Sequence, residues 1–127
     1  MSRIKSKNIK ILVIDPDEDF ARDVQMFLED TYCVTTRQII DLLDYTIILN
    51  NIDVIILSVD SVDIAFITLL EKIRRNHSNI KIIIMYTYLS SDRAVEKKLI
   101  EFTDDIITKP FDVTILKNKV DSVLIAN

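Results

Sequence analysis

Short apolar runs alternate with amphipathic stretches along the whole chain. Most of the runs hold four consecutive apolar residues, many of them β-branched, with polar residues on either side. Such unbroken runs are typical of strands that are buried on both faces of a parallel sheet. We therefore predict five strands, at residues 10–14, 33–36, 53–58, 81–86 and 105–108.

Apolar residues between these runs recur at helical spacing. Phe20, Val24, Phe27 and Leu28 follow an acidic turn at i, i+4, i+7 and i+8, which predicts a first amphipathic helix. Further helices are predicted at residues 38–50, 63–76 and 91–102, and a last one follows Asp112 as its cap. Strands that alternate with helices favour right-handed crossovers and a three-layer α/β/α fold.

Length, charge and cysteine usage narrow the class of protein. The 127 residues fit one domain, with a basic tail at residues 1–8 and a folded core at 9–125. The net charge of −4 argues against direct binding of nucleic acid, and no apolar run is long enough to span a membrane. Because Cys33 is the only cysteine, no intrachain disulfide can form, and we expect a cytoplasmic protein.

The chain contains no glycine. Walker loops and Rossmann fingerprints both need glycine, because the backbone must approach a phosphate closely. The sequence therefore excludes these two kinds of nucleotide site.

Two segments carry a resemblance to a known family. Ile11-Leu12-Val13-Ile14-Asp15 ends the first strand on an acid, and Asp104-Asp105-Ile106-Ile107-Thr108-Lys109-Pro110-Phe111 ends the fifth on a Lys-Pro pair. With the spacing of the segments between them, the chain resembles the receiver domains of two-component response regulators, the group that includes CheY. The resemblance implies a flavodoxin-like fold with a five-stranded parallel sheet in the order 2-1-3-4-5. It also implies a signalling protein that is not an enzyme.

The resemblance further implies a site at the carboxyl ends of strands one, three, four and five. Asp15 matches the first of two family acids, Thr87 the hydroxyl residue and Lys109 the lysine. Pro16 stands where the second acid, the main metal ligand, belongs. Ser58 stands where the phosphoacceptor aspartate belongs, at the predicted end of the third strand.

Two more positions depart from the family pattern. Ile106 occupies the position often held by an aromatic switch residue, and Phe102 that of a glycine before strand five. The scaffold thus matches the family, whereas the residues that carry its chemistry do not.

These departures change the chemistry that the site can support. Mg²⁺ is usually held by carboxylates, substrate oxygens and water, and two of the three family carboxylates are replaced. We therefore expect Mg²⁺ affinity to be weak or absent, with Asp15, Asp17 and Asp60 as the weak candidates for ligands. Ser58 lacks a general base, because the only histidine, His77, is predicted at the opposite end of the sheet. We expect no catalytic residue and no cofactor.

The leading interpretation is a phosphorylation-independent receiver that acts as a protein-interaction module. Its partner is another signalling protein or a second copy, bound through the face of helix four, strand five and helix five. Candidate residues there are Tyr88, Lys97, Lys98, Phe102, Lys117 and Lys119.

Two alternatives stay open at this point. In one, a receiver is still phosphorylated at Asp60 or Asp17 with residual metal binding. In the other, a flavodoxin-like protein binds a cofactor, although the acids at 15–19 would repel a phosphate.

Overall fold

The computed structural model describes residues 8–125, which form a parallel sheet between two layers of helices. The sheet order is β2-β1-β3-β4-β5, with every neighbouring pair parallel. The predicted fold class and strand order are therefore confirmed. Residues 1–7, most of the predicted basic tail, lie outside the described residues. In chain order the elements are β1 (Lys10–Ile14), α1 (Glu18–Leu28), β2 (Cys33–Arg37), α2 (Leu43–Asn50), β3 (Val54–Val62), α3 (Ile64–Asn76), β4 (Lys81–Leu89), α4 (Arg93–Phe102), β5 (Asp105–Thr108) and α5 (Val113–Ile125).

Each face of the sheet has its own apolar core. Successive strand residues point to opposite faces, so an unbroken apolar run supplies both cores at once. Ile55, Leu57, Ile82 and Ile84 pack with α2, α3 and α4 on one face. On the other face α1 and α5 cover the alternate residues Val54, Ile56, Ile83 and Met85. Within the part of the chain that the structure describes, no helix is long and apolar enough to cross a bilayer.

Aspartate side chains cap four of the helices. A capping carboxylate accepts a backbone N–H that has no partner inside the helix. Asp17 accepts from Phe20 at 3.2 Å and Asp63 from Phe66 at 3.0 Å. Asp92 and Asp112 each accept from the amide two residues ahead, at 2.9 Å. The predicted cap of the last helix is thus confirmed, and α2 differs in having no side-chain cap.

The second helix is shorter than predicted. It begins at Leu43 rather than at residue 38, because β2 continues to Arg37 in register with Ile14 and the chain must then cross to the helical layer. Leu42 has a φ of 58° and stands just before the helix in the left-handed region, which an α-helix cannot include.

The third and fourth strands are longer than predicted. Val59 pairs with Tyr86, and the ladder continues until Val62 pairs with Leu89. Val, Tyr and Thr are common in strands, and the two extensions pair with each other. Ser58 therefore lies within β3 rather than at its end, and Asp60 is an exposed strand residue rather than part of a loop.

Candidate functional site

The carboxyl ends of the central strands bring Asp15, Ser58 and Lys109 together. Asp15 follows β1 directly and Lys109 follows β5, so parallel pairing delivers both to one edge of the sheet. The Lys109 Nζ donates a hydrogen bond to Ser58 Oγ and lies 3.4 Å from Asp15 Oδ2. Three of the residues that the sequence placed at the site, Asp15, Ser58 and Lys109, are therefore in one contact group.

The Asp15 carboxylate is buried and fully engaged. Its side chain is 3% exposed, and its Oδ1 accepts the backbone N–H of Asp17 at 2.8 Å. Its Oδ2 faces the Lys109 ammonium, so one negative charge is balanced by one positive charge. A buried carboxylate needs such a partner, because an unpaired charge loses most of its hydration.

Aromatic rings cover the lysine from the side of α1. Lys109 Nζ lies 5.4 Å from the centre of the Phe20 ring, within the range of a cation–π contact. Phe20 in turn packs edge to face against Phe111, with ring centres 5.9 Å apart. The sequence predicted Phe20 only as part of an apolar helix face, and its spacing gave no sign of this contact.

The other two acids proposed as metal ligands are directed elsewhere. Asp17 is exposed and caps α1 instead of facing Lys109. Asp60 is exposed, and its side chain makes no hydrogen bond or ion pair with any described residue. Pro16, in the position of the family's second acid, offers no side-chain oxygen.

This donor set does not fit Mg²⁺. The ion prefers octahedral oxygen coordination, and here only Asp15 contributes a carboxylate, with both of its oxygens engaged. Across residues 8–125 no group of three or more His, Cys, Asp or Glu side chains is arranged to hold a metal. Weak or absent Mg²⁺ affinity stays a prediction, and no reaction step is assigned to a metal.

Thr87 and Ile106 lie on β4 and β5. Thr87 is half-buried in β4, after Tyr86, whose carbonyl accepts the Lys109 backbone N–H at 2.8 Å. Ile106 is half-buried in β5 and packs against the core on the α3 and α4 side. The position of the family's switch aromatic is thus held by an aliphatic side chain in van der Waals contact with the core.

His77 has a structural contact away from the site. It follows α3 at the amino-terminal side of β4, and its Nε2 lies 2.7 Å from Asp44 Oδ1 on α2. The prediction that no histidine stands near Ser58 is confirmed.

The structure places the residues of the predicted interaction face on β4, α4 and α5, and the two lysines of α5 contact different neighbours. Lys97 and Lys98 on α4 are exposed, and Lys98 Nζ lies 6.0 Å from the centre of the half-buried Phe102 ring. Lys119 pairs with Asp105 of β5 at 3.1 Å. Lys117 pairs at 3.0 Å with Asp121, whose carboxylate also accepts from Tyr32.

The contacts of Lys117 and Lys119 point in different directions. Lys117 and Lys119 are two positions apart, about 200° around a helix, so they lie on opposite sides of α5. Lys119 belongs to the β5 side, and Lys117 to the side of Tyr32. Tyr88 is 67% exposed near the end of β4.

Several solved structures that match this fold are response regulators. A two-component response regulator from Clostridium difficile matches with a TM-score of 0.72 at 28% identity, covering 92% of this chain and 96% of that one. An orphan response regulator of H. pylori matches with a TM-score of 0.79 at 18% identity, covering 93% of this chain and 98% of that one. An atypical orphan response regulator, whose structure is described as revealing a phosphorylation-independent regulatory mechanism, matches with a TM-score of 0.74 at 18% identity. This match covers 91% of this chain and 95% of that one.

The comparisons by sequence give no match. No protein-family model and no curated protein matches the chain. The structural likeness, together with the order of the sheet, shows the CheY-like receiver fold of two-component response regulators.

Proposed function

We propose that this chain is an atypical receiver that acts in two-component or phosphorelay signalling as a protein-interaction module, without phosphorylation or catalysis of its own. The observation that carries the proposal is the state of Lys109, which already contacts Ser58 and Asp15. In the receivers that this chain resembles, the lysine is available to a phosphoryl group on an aspartate. Here the protein's own side chains satisfy it.

Electrostatics works against phosphoryl transfer at this site. A phosphoryl group next to Asp15 would add negative charge where only Lys109 offers a positive one. Two like charges about 4 Å apart repel by about 4 kcal/mol at an effective dielectric constant of about 20. Without Mg²⁺ to offset this, and without a base for the Ser58 hydroxyl, the site favours its present contacts.

The alternatives receive less support from the geometry. Asp17 is engaged as a helix cap, and no cation among residues 8–125 forms an ion pair with the exposed Asp60. For a flavodoxin-like cofactor, the turn after β1 presents the exposed acids 17–19 where a phosphate would have to lie. The structure of an atypical orphan response regulator, described as revealing a phosphorylation-independent mechanism, gives a precedent for the leading proposal on the same fold.

The working surface that we propose is the face of α4, β5 and α5. It combines the exposed Lys97 and Lys98 with Phe102 and Tyr88, and aromatic residues are common anchors in interfaces. Lys119 lies on the same side through Asp105. Lys117 is left out, because its contacts lie toward Tyr32. We propose another cytoplasmic signalling protein as the partner.

The test is an amide NMR titration of the full chain with Mg²⁺ and then with beryllofluoride, which mimics a phosphoryl group. We expect no shifts at Asp15, Ser58, Thr87 or Lys109, because the site lacks the oxygen ligands that Mg²⁺ needs. Shifts that begin there and spread to α4 would overturn the proposal and show that a phosphorylation switch is retained.

A matched variant controls for the sensitivity of the titration. The double substitution Pro16→Asp and Ser58→Asp restores the two missing carboxylates beside Asp15. We expect this variant to shift on addition of Mg²⁺ under the conditions in which the natural chain does not.

A further inference from the structure

The outward face of α2 is as apolar as its inward face. Tyr45, Ile48 and Leu49 are 62%, 68% and 63% exposed, whereas Leu43, Thr46 and Ile47 are buried. A surface helix normally has a polar outward face, and a helix that is apolar all round is normally buried. Within the described residues nothing covers this face of α2.

The residue that precedes the helix adds to the same surface. Leu42 has a φ of 58°, and its side chain is 75% exposed. A bulky residue in the left-handed region is strained, and such strain is concentrated at functional positions. Here the strained conformation exposes an apolar side chain beside Tyr45, while the Leu42 carbonyl accepts the backbone N–H of Thr46 at 2.9 Å.

A shallow groove continues this apolar surface toward α3. It has a volume of about 390 Å³ and lies between α2 and α3. Its apolar lining comprises Ile40, Leu42, Leu43, Tyr45, Leu69 and Ile73. The exposed stripe and the groove are contiguous because they share Leu42 and Tyr45.

The size of the surface suits a protein contact. Four large apolar side chains, those of Leu42, Tyr45, Ile48 and Leu49, are exposed by more than half over eight residues, 42–49. At roughly 150–250 Å² per large side chain, they present on the order of 500 Å² to solvent. That lies in the upper part of the range of about 300–600 Å² for the largest apolar patch of a typical monomer, and it is smaller than the ~800 Å² that each partner buries in a standard interface, so it fits a modest interface.

We infer that α2 is a self-association surface, on which two copies of this chain pack their Leu42, Tyr45, Ile48 and Leu49 side chains about a two-fold axis. A two-fold contact places the same patch on both sides, so one apolar stripe covers another. At the border of the patch lie the exposed Asp41, next to Leu42 in the chain, and Lys72, which lines the groove together with Asp44. Asp44 already contacts His77, whereas Asp41 and Lys72 make no ion pair with a described residue. A two-fold contact can therefore pair opposite charges on both borders.

The test is sedimentation equilibrium of the full chain between about 1 µM and about 1 mM, the range in which a modest interface dissociates. We expect a reversible monomer–dimer equilibrium. Ile48→Glu and Leu49→Glu alter side chains that are exposed in the monomer, so the fold is retained. Each should weaken dimerisation at least tenfold, because a buried unpaired carboxylate loses its hydration.

Two control variants separate this surface from the rest of the molecule. Met26→Glu changes an equally exposed apolar residue on α1, which is 64% exposed, and should leave the dimer unchanged. Lys97→Glu with Lys98→Glu alters the face of α4 and should also leave it unchanged. A monomer throughout the range, or a dimer that responds to the α4 variant and not to Ile48→Glu, overturns the inference. In the first case the surface has another occupant, and in the second the copies meet elsewhere.

A cross-linking experiment tests the two-fold geometry directly. In a Cys33→Ser background, Ile48→Cys should form a disulfide between copies, because equivalent residues near a two-fold axis lie close together. Met26→Cys in the same background should not. Equal cross-linking of both variants would overturn the assignment of the contact to α2.

Discussion

At the scale of single residues, the site has one acid and one lysine, and the two are paired with each other. Asp15 and Lys109 occupy the positions of a phosphotransfer site, and their contact now stabilises a buried carboxylate. Ser58 completes the group as a neutral hydrogen-bond partner of the lysine. We therefore propose that Asp15, Ser58 and Lys109 contribute to the stability of the fold.

Removing the lysine should destabilise the protein. Lys109→Met leaves the Asp15 carboxylate buried with a single hydrogen bond, and breaking a buried pair from one side costs about 3–5 kcal/mol. Because Lys109 is 23% exposed, we expect a loss of about 2–3 kcal/mol in the free energy of unfolding, measured by urea denaturation.

Two further variants control this measurement, one at an exposed lysine and one that also changes Asp15. Lys97→Met removes an exposed lysine on α4 and should change the free energy of unfolding by about 0.5 kcal/mol or less. Adding Asp15→Asn to Lys109→Met should recover part of the loss, because no charge is then left buried. Equal effects of Lys109→Met and Lys97→Met would contradict a stabilising role for the pair.

The sequence predicted the site only in part, and the reason differs from residue to residue. Asp15 and Lys109 directly follow apolar runs, so the topology of a parallel sheet was enough to bring them together. The place of Phe20 over the lysine could not be predicted, because it depends on the packing of Phe111 from the far end of the chain. Asp60 was placed in a loop because strand length depends on pairing between β3 and β4.

At the scale of elements, apolar runs predicted where strands begin better than where they end. The extension of β3 contains Asp60 and Ser61, which weaken a strand pattern, and it is stabilised by pairing with the Tyr-rich end of β4. The start of α2 was wrong for a similar reason, because residues 38–42 are needed to leave the sheet. Elements whose ends are fixed by aspartate caps, such as α3, were predicted closely.

The proposed partner face belongs to this scale, because it is formed by α4 together with β5. Lys97→Glu with Lys98→Glu reverses two exposed charges without touching the core, so the fold should be retained. A partner is first isolated from the cells that encode this chain, by its retention on the immobilised natural protein. We expect the variant to bind that partner at least tenfold more weakly, as measured by surface plasmon resonance.

A conservative variant makes that measurement specific. Lys97→Arg with Lys98→Arg keeps both charges and should keep most of the affinity. If the charge-reversed chain binds as tightly as the natural one, the partner lies on another surface.

At the scale of the whole molecule, the alternation of strands and helices predicted a parallel sheet covered on both faces, whereas the order of its strands was implied by the resemblance to receiver domains. Right-handed crossovers and burial on both faces leave few arrangements for five such strands. The sequence pattern did not predict the association of two copies through α2. An apolar run such as residues 45–49 is compatible with burial inside the chain, and only the structure shows which side chains face outward.

A contact between the β2 side of the sheet and α5 should make the stability of the whole fold sensitive to alkaline pH. Tyr32 lies just before β2, and its hydroxyl donates to Asp121 of α5. Burial, followed by the hydrogen bond to Asp121 and its charge, raises the pKa of Tyr32 above its ordinary value. The folded state therefore holds the phenol proton more tightly than the unfolded state.

This stabilising contribution is fully present below the unfolded pKa of about 10 and is lost as the pH rises above it. Between about pH 9.5 and about pH 11, the free energy of unfolding should fall more steeply for the natural chain than for Tyr32→Phe, by up to about 1.4 kcal/mol per pH unit. Urea denaturation at a series of pH values measures both slopes. Tyr88→Phe, at an exposed tyrosine, should keep the natural slope. Parallel curves for the natural chain and Tyr32→Phe would show that the hydroxyl of Tyr32 does not couple folding to pH.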